Sequence, residues 1–514
     1  MLKKIRITLS VLFFGLITFF FLDFANILPA KFHVLAHIQL VPAIMSFSFI
    51  ILAVLVALTL VLGRIYCSVI CPMGVFQDIV NWISRKTAKK RKRFRFSPAK
   101  NLLRWGVLSI TVITFFCGFT AVLGLLEPYS SFGRMVTNVF KPIYMAGNNL
   151  LESVFSRFDN YTFYQVDASL LSISSFIIGL ATFLFIGFLA WRHGRTWCNT
   201  MCPVGTLLGF VSRFSLFKIR IDENKCTHCM ICSTKCKASC IDSKNQKIDY
   251  TRCVDCFDCL DSCKEGALVY SLPSAVLKKA KEELVSASSS DVSRRRFLKV
   301  GLTVAATTPQ VMAQAKNVLA ATSGKKSYKR QVPITPPGSI SLAHFQTHCT
   351  SCHLCVSKCP SHVLKPALSE YGLAGFMQPT VYFEKGFCNF DCTICGDVCP
   401  NGAIKPLKVE EKHLTQMGKV VFIKRNCIVH TDGTSCGACS EHCPTQALSM
   451  VPYRNGLTIP HVNTDICVGC GGCEYVCPAR PFRAVYIEGN AIQQEAVPFV
   501  EKKEEEIQVD DFGF

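Results

Sequence analysis

Two stretches of the chain set thiols at intervals that iron–sulfur chemistry uses: Cys226, Cys229, Cys232 and Cys236, then Cys253, Cys256, Cys259 and Cys263. A 4Fe–4S cubane needs four thiolates. A C-x2-C-x2-C loop can wrap three corners of it, and the fourth ligand comes from a more distant cysteine, usually followed by proline. Neighbouring runs exchange that last ligand, so Cys263 is expected to complete the first site and Cys236 the second. Lys237 and Lys264 stand where proline is usual, which leaves the ligand spacing intact. Four more quartets follow. Cys349, Cys352, Cys355 and Cys359 are regular and precede Pro360, as Cys467, Cys470, Cys473 and Cys477 precede Pro478. Cys388, Cys392, Cys395 and Cys399 have one extra residue in the first gap, and Cys427, Cys436, Cys439 and Cys443 have a long first gap. The six quartets use 24 of the 30 cysteines and predict six 4Fe–4S clusters.

Other cysteine chemistries account for less. Disulfide frameworks belong to short secreted chains, and paired zinc motifs do not require two full runs of this spacing. Cys349-Thr350-Ser351-Cys352-His353 matches the c-type haem attachment pattern, but thioether bonds there would take two ligands from a cluster run. Cys117 and Cys240 stay unassigned. Cys67 and Cys71, with Cys198 and Cys202, form two C-x-x-x-C-P pairs. Spacing of four puts both thiols of a pair on one helix face. Two pairs could hold a further cluster, form a redox-active thiol site, or only shape the helix ends.

The elements that position these thiols are apolar. Half of the residues are hydrophobic, concentrated in the first two-fifths of the chain. Four segments reach the length of about 20 residues that a span needs: Ile7–Leu28, Ile38–Leu62, Leu102–Leu126 and Ala168–Trp191. The second and fourth run into an internal repeat. Gly63-Arg64-Ile65-Tyr66-Cys67 and Gly194-Arg195-Thr196-Trp197-Cys198 both open the pattern G-R-x-(Y/W)-C-x-x-x-C-P-x-G. Two helical hairpins would thus each deliver a cysteine pair to one membrane edge. The net charge of +21 does not indicate nucleic acid, because its densest stretch, Arg85 to Arg104, lies between two spans and marks a cytoplasmic loop. The loop between the third and fourth spans carries Phe132, Met135, Val136, Val139, Phe140 and Ile143 near helical spacing, for lying flat on the interface or packing as an ordinary loop.

The expected fold is a membrane α-helical domain (1–215, four spans in a two-hairpin repeat) with small α+β ferredoxin-like domains. These are a cytoplasmic two-cluster unit (216–275) and a periplasmic four-cluster unit (340–490). Between them lie a polar linker (276–292) and a segment (293–320) containing Ser293-Arg294-Arg295-Arg296-Phe297-Leu298-Lys299. That segment has twin-arginine export character, with a small-residue pattern at Ala313-Gln314-Ala315 for cleavage, or it stays as a fifth anchor. An acidic tail occupies 491–514. The basic loops together predict one orientation, with the N-terminus and both post-hairpin segments in the cytoplasm.

The repeat with a two-cluster unit resembles the NapH family, the membrane component of a quinol dehydrogenase. The twin-arginine segment followed by four quartets resembles the NapG family, its periplasmic partner, so the whole is similar to a NapH–NapG fusion. The resemblance implies quinol oxidation, with electrons passed from the quinone pool to a periplasmic reductase, typically for nitrate, or to a c-type cytochrome. It also implies that the first and fourth C-terminal runs exchange ligands, Cys477 completing the Cys349 run and Cys359 the Cys467 run. Cys443 and Cys399 would be exchanged between the middle pair. Related NosR and CcoG types suggest the alternative of an accessory factor that delivers electrons to a metalloenzyme. Asp23, His33, His37 and Glu127 lie near external span ends, but an ordinary interfacial role accounts for each, and none is assigned to proton transfer.

Overall fold

The computed structural model of the chain describes residues 1–25, 27–87, 94–159, 161–166, 172–272 and 329–498. The linker, the twin-arginine segment and residues 499–514 of the acidic tail lie outside the described residues. The helical part comprises α1 (Leu2–Leu22), α2 (Phe49–Leu62), α3 (Pro72–Thr87), α4 (Asn101–Phe116), α5 (Thr120–Leu126), α6 (Pro128–Met135), α7 (Lys141–Phe155), α8 (Ile173–His193) and α9 (Pro203–Ser212).

Only α1 and α8, each 21 residues, are long and apolar enough among the described residues to cross a membrane. The other two expected spans are interrupted. Phe47, held at a φ of +52° between Ser46 and Ser48, separates Leu40–Met45 from α2. Gly118, at +83°, separates α4 from α5. Positive φ cannot continue a right-handed helix, so each piece falls short of about 20 residues.

The segment expected to lie flat or loop out instead threads the core. All residues from 127 to 139 are buried, in α6 and the π-helical turn Val136–Phe140 that joins it to α7. Glu127 starts the segment by accepting hydrogen bonds from the Tyr129 and Ser130 amides, and Pro128 fits the first helical position. Phe132, Met135 and Val136 pack into the main core with Ile17 and Phe21 of α1 and Ile186 of α8.

The cysteine-rich units are built from short hairpins. Lys218–Ile221 pairs antiparallel with Leu268–Ser271 and closes the first unit around its two quartets. In the C-terminal region, Leu364–Pro366 pairs with Pro379–Val381 between the first and second quartets. Leu448–Pro452 pairs with Thr458–Val462 between the third and fourth. Thr415–Phe422 pairs with Val485–Glu495 and ties the region together, so this strand extends into the start of the expected tail.

The two cysteine-rich parts sit at opposite ends of α1. Near its start, Lys3 Nζ lies 3.2 Å from Asp261 and 3.4 Å from Asp258 of the first unit. At its end, the Phe21 carbonyl accepts from Ser357, and Asp23 pairs with Lys358 at 2.7 Å. Twenty-one helical residues separate those ends by about 30 Å.

Candidate iron–sulfur centres

In the regular runs the backbone follows one rule. The residues on either side of the second cysteine have positive φ: His228 and Met230, Asp255 and Phe257, Ser351 and His353, Gly469 and Gly471. The residue three after the fourth cysteine repeats the device at Ser239, Gly266, His362, Gly402 and Gln446. Left-handed residues set within such turns point successive N–H groups into one concavity, which suits an anionic cluster. Amides also reach sulfur directly, Ala447 N donating to Cys443 at 3.2 Å and Ala484 N to Cys477 at 3.3 Å.

Cys226, Cys229, Cys232 and Cys263 line one cavity. Cys253, Cys256 and Cys259 line another with Cys236 and with Cys240, whose sulfur is 3.5 Å from that of Cys236. In this unit the last cysteine of each run thus lies with the first three of the other, and Cys240 adds a fifth thiol to the second group. In the C-terminal region the expected pairing is corrected. Cys399, not Cys477, joins Cys349, Cys352 and Cys355. Cys359 joins Cys388, Cys392 and Cys395. Cys477 lies with Cys427, Cys436 and Cys439, and Cys443 with Cys467, Cys470 and Cys473. Exchange is between sequence neighbours because each hairpin folds two successive runs into one small core. Among the described residues no three ligating side chains gather tightly enough for a single ion. Four thiols brought to one concavity lined by backbone N–H groups are the donor set that a 4Fe–4S cluster takes.

The two C-x-x-x-C-P pairs meet inside the helical part. Cys67, Cys71, Cys198 and Cys202 are all buried, and lie within electrostatic reach of one another. Gln77 Nε2 donates to Cys198 Sγ at 3.1 Å, Gly205 N to Cys202 Sγ at 3.3 Å, and the Arg64 guanidinium approaches Cys67 Sγ at 3.7 Å. The repeats cross over. Arg195 of the second lies against Gly74 of the first and donates to the Cys67 carbonyl at 2.7 Å, while Arg64 of the first lies against Gly205 of the second. A Cβ on Gly74 or Gly205 would strike the Cys67 or Cys198 carbonyl. The paired arginines of the G-R motif, visible in the sequence but given no role there, are thus the cations beside four buried thiols.

Contacts lead from this site in both directions. The Arg64 amide donates to Asp255 Oδ2 at 2.8 Å, and Asp255 Oδ1 is 3.5 Å from Cys253 Sγ. Burial pushes the Asp255 carboxyl up to about 6, against the opposing Arg64 N–H. On the other side Tyr66 lies within electrostatic reach of Cys71 and Glu127. Tyr129, whose hydroxyl has no hydrogen-bond partner among the described residues, stands within reach of Cys352 and Cys399. The Cys349 run is seated on α5 to α7. Arg134 donates to the Ser351 carbonyl at 3.2 Å, Ser130 and Thr350 hydroxyls are 2.9 Å apart, and Lys141 donates to the Ser357 carbonyl. Farther out, Cys355 neighbours Cys395, Cys388 N donates to Cys470 O at 2.9 Å, and Cys473 neighbours Cys439. The C-terminal quartets therefore succeed one another as first, second, fourth and third.

The haem-like pattern is otherwise engaged. His353 is buried, Asn138 Nδ2 donating to its Nδ1 at 3.1 Å and its Nε2 lying 2.9 Å from the Met377 carbonyl. Burial beside Arg134 holds it neutral, down to about 3. Of the four residues near span ends, Asp23 is taken up by Lys358 and Glu127 by its helix start, while the His33 ring packs on Phe20. His37 is half-buried. Cys117 is exposed at the α4–α5 break.

Comparison with known proteins agrees with the thiol geometry. A family described as a 4Fe-4S binding domain matches residues 45–91 and 175–222, the segments that carry the two C-x-x-x-C-P pairs. A 4Fe-4S dicluster domain matches residues 434–480. The ferredoxin-type protein NapF of Escherichia coli K12 is 29% identical over 157 residues, 30% of this chain and 87% of that protein. NapG of the same organism is 33% identical over 159 residues, 28% of this chain and 66% of its own length. The methylamine utilization ferredoxin-type protein MauM of Methylobacillus flagellatus is 33% identical over 156 residues, 28% of this chain and 63% of that protein. No solved structure matches. The chain contains ferredoxin-type 4Fe–4S domains and is an iron–sulfur electron-transfer protein.

Proposed function

We propose that this chain, a NapH-like part joined to a NapG-like part, oxidises quinol within its helical domain. The electrons then leave singly through the C-terminal quartets to a periplasmic reductase, typically for nitrate, or to a c-type cytochrome. One observation carries the reading: the four-thiol sites form an unbroken succession, from the Cys226 quartet through the buried pairs to the Cys427 quartet. A hydrocarbon core of about 30 Å between two sets of clusters is too wide for one unaided transfer. A seventh centre held by Cys67, Cys71, Cys198 and Cys202 divides it. Clusters supply one-electron redox chemistry when bound, which suits splitting a two-electron donor. Around the seventh centre, Arg64 and Arg195 offset negative charge, Gln77 and the Gly205 amide donate to sulfur, and packed side chains exclude water. Tyr66, Glu127 and Tyr129, all buried, stand between the buried thiol pairs and Cys352.

On this reading α1 and α8 cross a bacterial inner membrane, the broken helices complete the four-span bundle, and the two cysteine-rich parts face opposite compartments. The test is to mix the full chain with a reduced menaquinol analogue. Rapid bleaching of the cluster absorbance is the expected result; its absence would sink quinol oxidation and leave the accessory role. Iron and sulfide should each reach about 28 per chain, against about 24 if the central thiols bind none.

A further inference from the structure

The succession of sites ends at the Cys427 quartet, whose surroundings differ from those of the other three C-terminal sites. The Cys349 site is covered by the helical part. Beside the Cys388 site Lys412 donates to the Asn389 carbonyl, and beside the Cys467 site Glu474 engages Arg330 at 2.7 Å and, more loosely, Arg483. At the Cys427 site, Tyr453 packs against the core that contains Cys427 and Cys477. Lys424 and Arg454 lie over its ring, at 4.6 and 5.5 Å from the centroid, and His430 meets its hydroxyl at 2.9 Å. Lys424, Arg425 and Arg454 are exposed and have no carboxylate partner among the described residues. Arg480 is exposed beside Cys477, donating to that residue's carbonyl at 2.9 Å. The carboxylates on the same runs are Asp432 and Glu441, so cations outnumber them two to one.

Resting on the electron-transfer reading above, we propose that this face is the docking surface for the electron acceptor, and that the acceptor is a redox protein with an acidic rim around its own centre. Charge fits this role. Unpaired surface cations do little for stability, but they steer an oppositely charged partner and raise its association rate in a salt-dependent way. Tyr453 places the cationic cluster directly over the last cysteine-lined core, so an acceptor captured there would be held at the end of the path. The long first gap of this run, Ile428 to Ser435, leaves residues 430 to 435 exposed, beginning with the His430 that meets Tyr453.

The experiment uses the full chain, cluster-loaded and reduced, mixed in a stopped-flow instrument with an acidic c-type cytochrome. The wild-type chain should reduce the cytochrome at a rate that falls several-fold between low and physiological salt. Lys424→Glu with Arg454→Glu should lower the low-salt rate at least tenfold and flatten the salt dependence, with unchanged iron content. Lys424→Arg should keep the wild-type rate. Reversal at the opposite end, Lys225→Glu with Lys264→Glu beside the Cys226 site, should have no effect. Equal rates for the Lys424/Arg454 double variant and the wild type, or a loss confined to the Lys225/Lys264 variant, would overturn the assignment. So would a double variant that loses only binding to anionic lipid vesicles, since the face would then be a membrane contact. A wild-type chain that fails to reduce the cytochrome at all would instead count against the electron-transfer reading.

Discussion

The helical part grips its two cysteine-rich neighbours by different chemistries. At the Lys3 end of α1 the contact is made of ion pairs. Asp78 of α3 accepts from Arg6, from Arg195 at 2.7 Å and from Lys237 of the small unit at 2.9 Å, and Lys237 reaches on to Asp258. At the Phe21 end one ion pair, Lys358 with Asp23, stands among cations that donate to main-chain carbonyls of the Cys349 run. A carbonyl cannot lose its charge or change its rotamer, so the second contact fixes position. The first is centred on one carboxylate that meets three cations, with Asp258 and Asp261 beside it, and is the easier of the two to weaken by one substitution.

The largest effect should come from cutting what lies between the two contacts. Cys67→Ser with Cys198→Ser should slow reduction of the C-terminal quartets from the Cys226 end by about 100-fold or more, about 2.7 kcal/mol in barrier. Freeze-quench spectroscopy of the separate clusters would follow it; unaltered rates would show that the path bypasses the buried thiols. Next comes Asp78→Asn. Leaving buried Arg6 and Arg195 without their carboxylate, and Lys237 with Asp258 alone, should cost about 3–5 kcal/mol and loosen the small unit, read as faster hydrogen exchange over 218–271 with the C-terminal region unchanged. Arg134→Ala should cost less, about 1.5–3 kcal/mol for a charged donor lost from buried carbonyls, and speed exchange over 342–366 instead. Similar exchange at both ends in either variant would erase the contrast. Gly124→Ala sets a Cβ 2.6 Å from the Thr350 carbonyl and should cost about 1–3 kcal/mol by overpacking, at the second contact alone. Tyr129→Phe should be nearly silent in thermal unfolding, within about 0.5 kcal/mol, because its hydroxyl has no partner to lose among the described residues.

What could be read from residue order was local. The quartets, the exchange within 226–263 and the repeated cysteine pairs are spacings along the chain, and the structure gathers each set. Ligand exchange among the last four runs was not legible from spacing, because it depends on which runs the intervening hairpins bring together. The expected spans overlooked Phe47 and Gly118. Hydropathy sums tolerate one left-handed residue, but a helix does not. The burial of 127–139 was hidden because its apolar residues alternate with Ser130, Ser131, Arg134 and Asn138, whose polar groups are met by other parts of the core.

The crossing of Arg64 onto Gly205 and of Arg195 onto Gly74 makes the two repeats interlocking parts. Neither copy can complete its own turn, since the side chain that fills each vacant glycine position belongs to the other. A chain divided between Arg85 and Arg104 would yield fragments in which each arginine lacks the glycine turn it lies against, and Arg195 lacks the Cys67 carbonyl, until the two associate. A shorter arginine in the opposite half would make no room at either glycine, because the Cys67 or Cys198 carbonyl of the same half stands closer still.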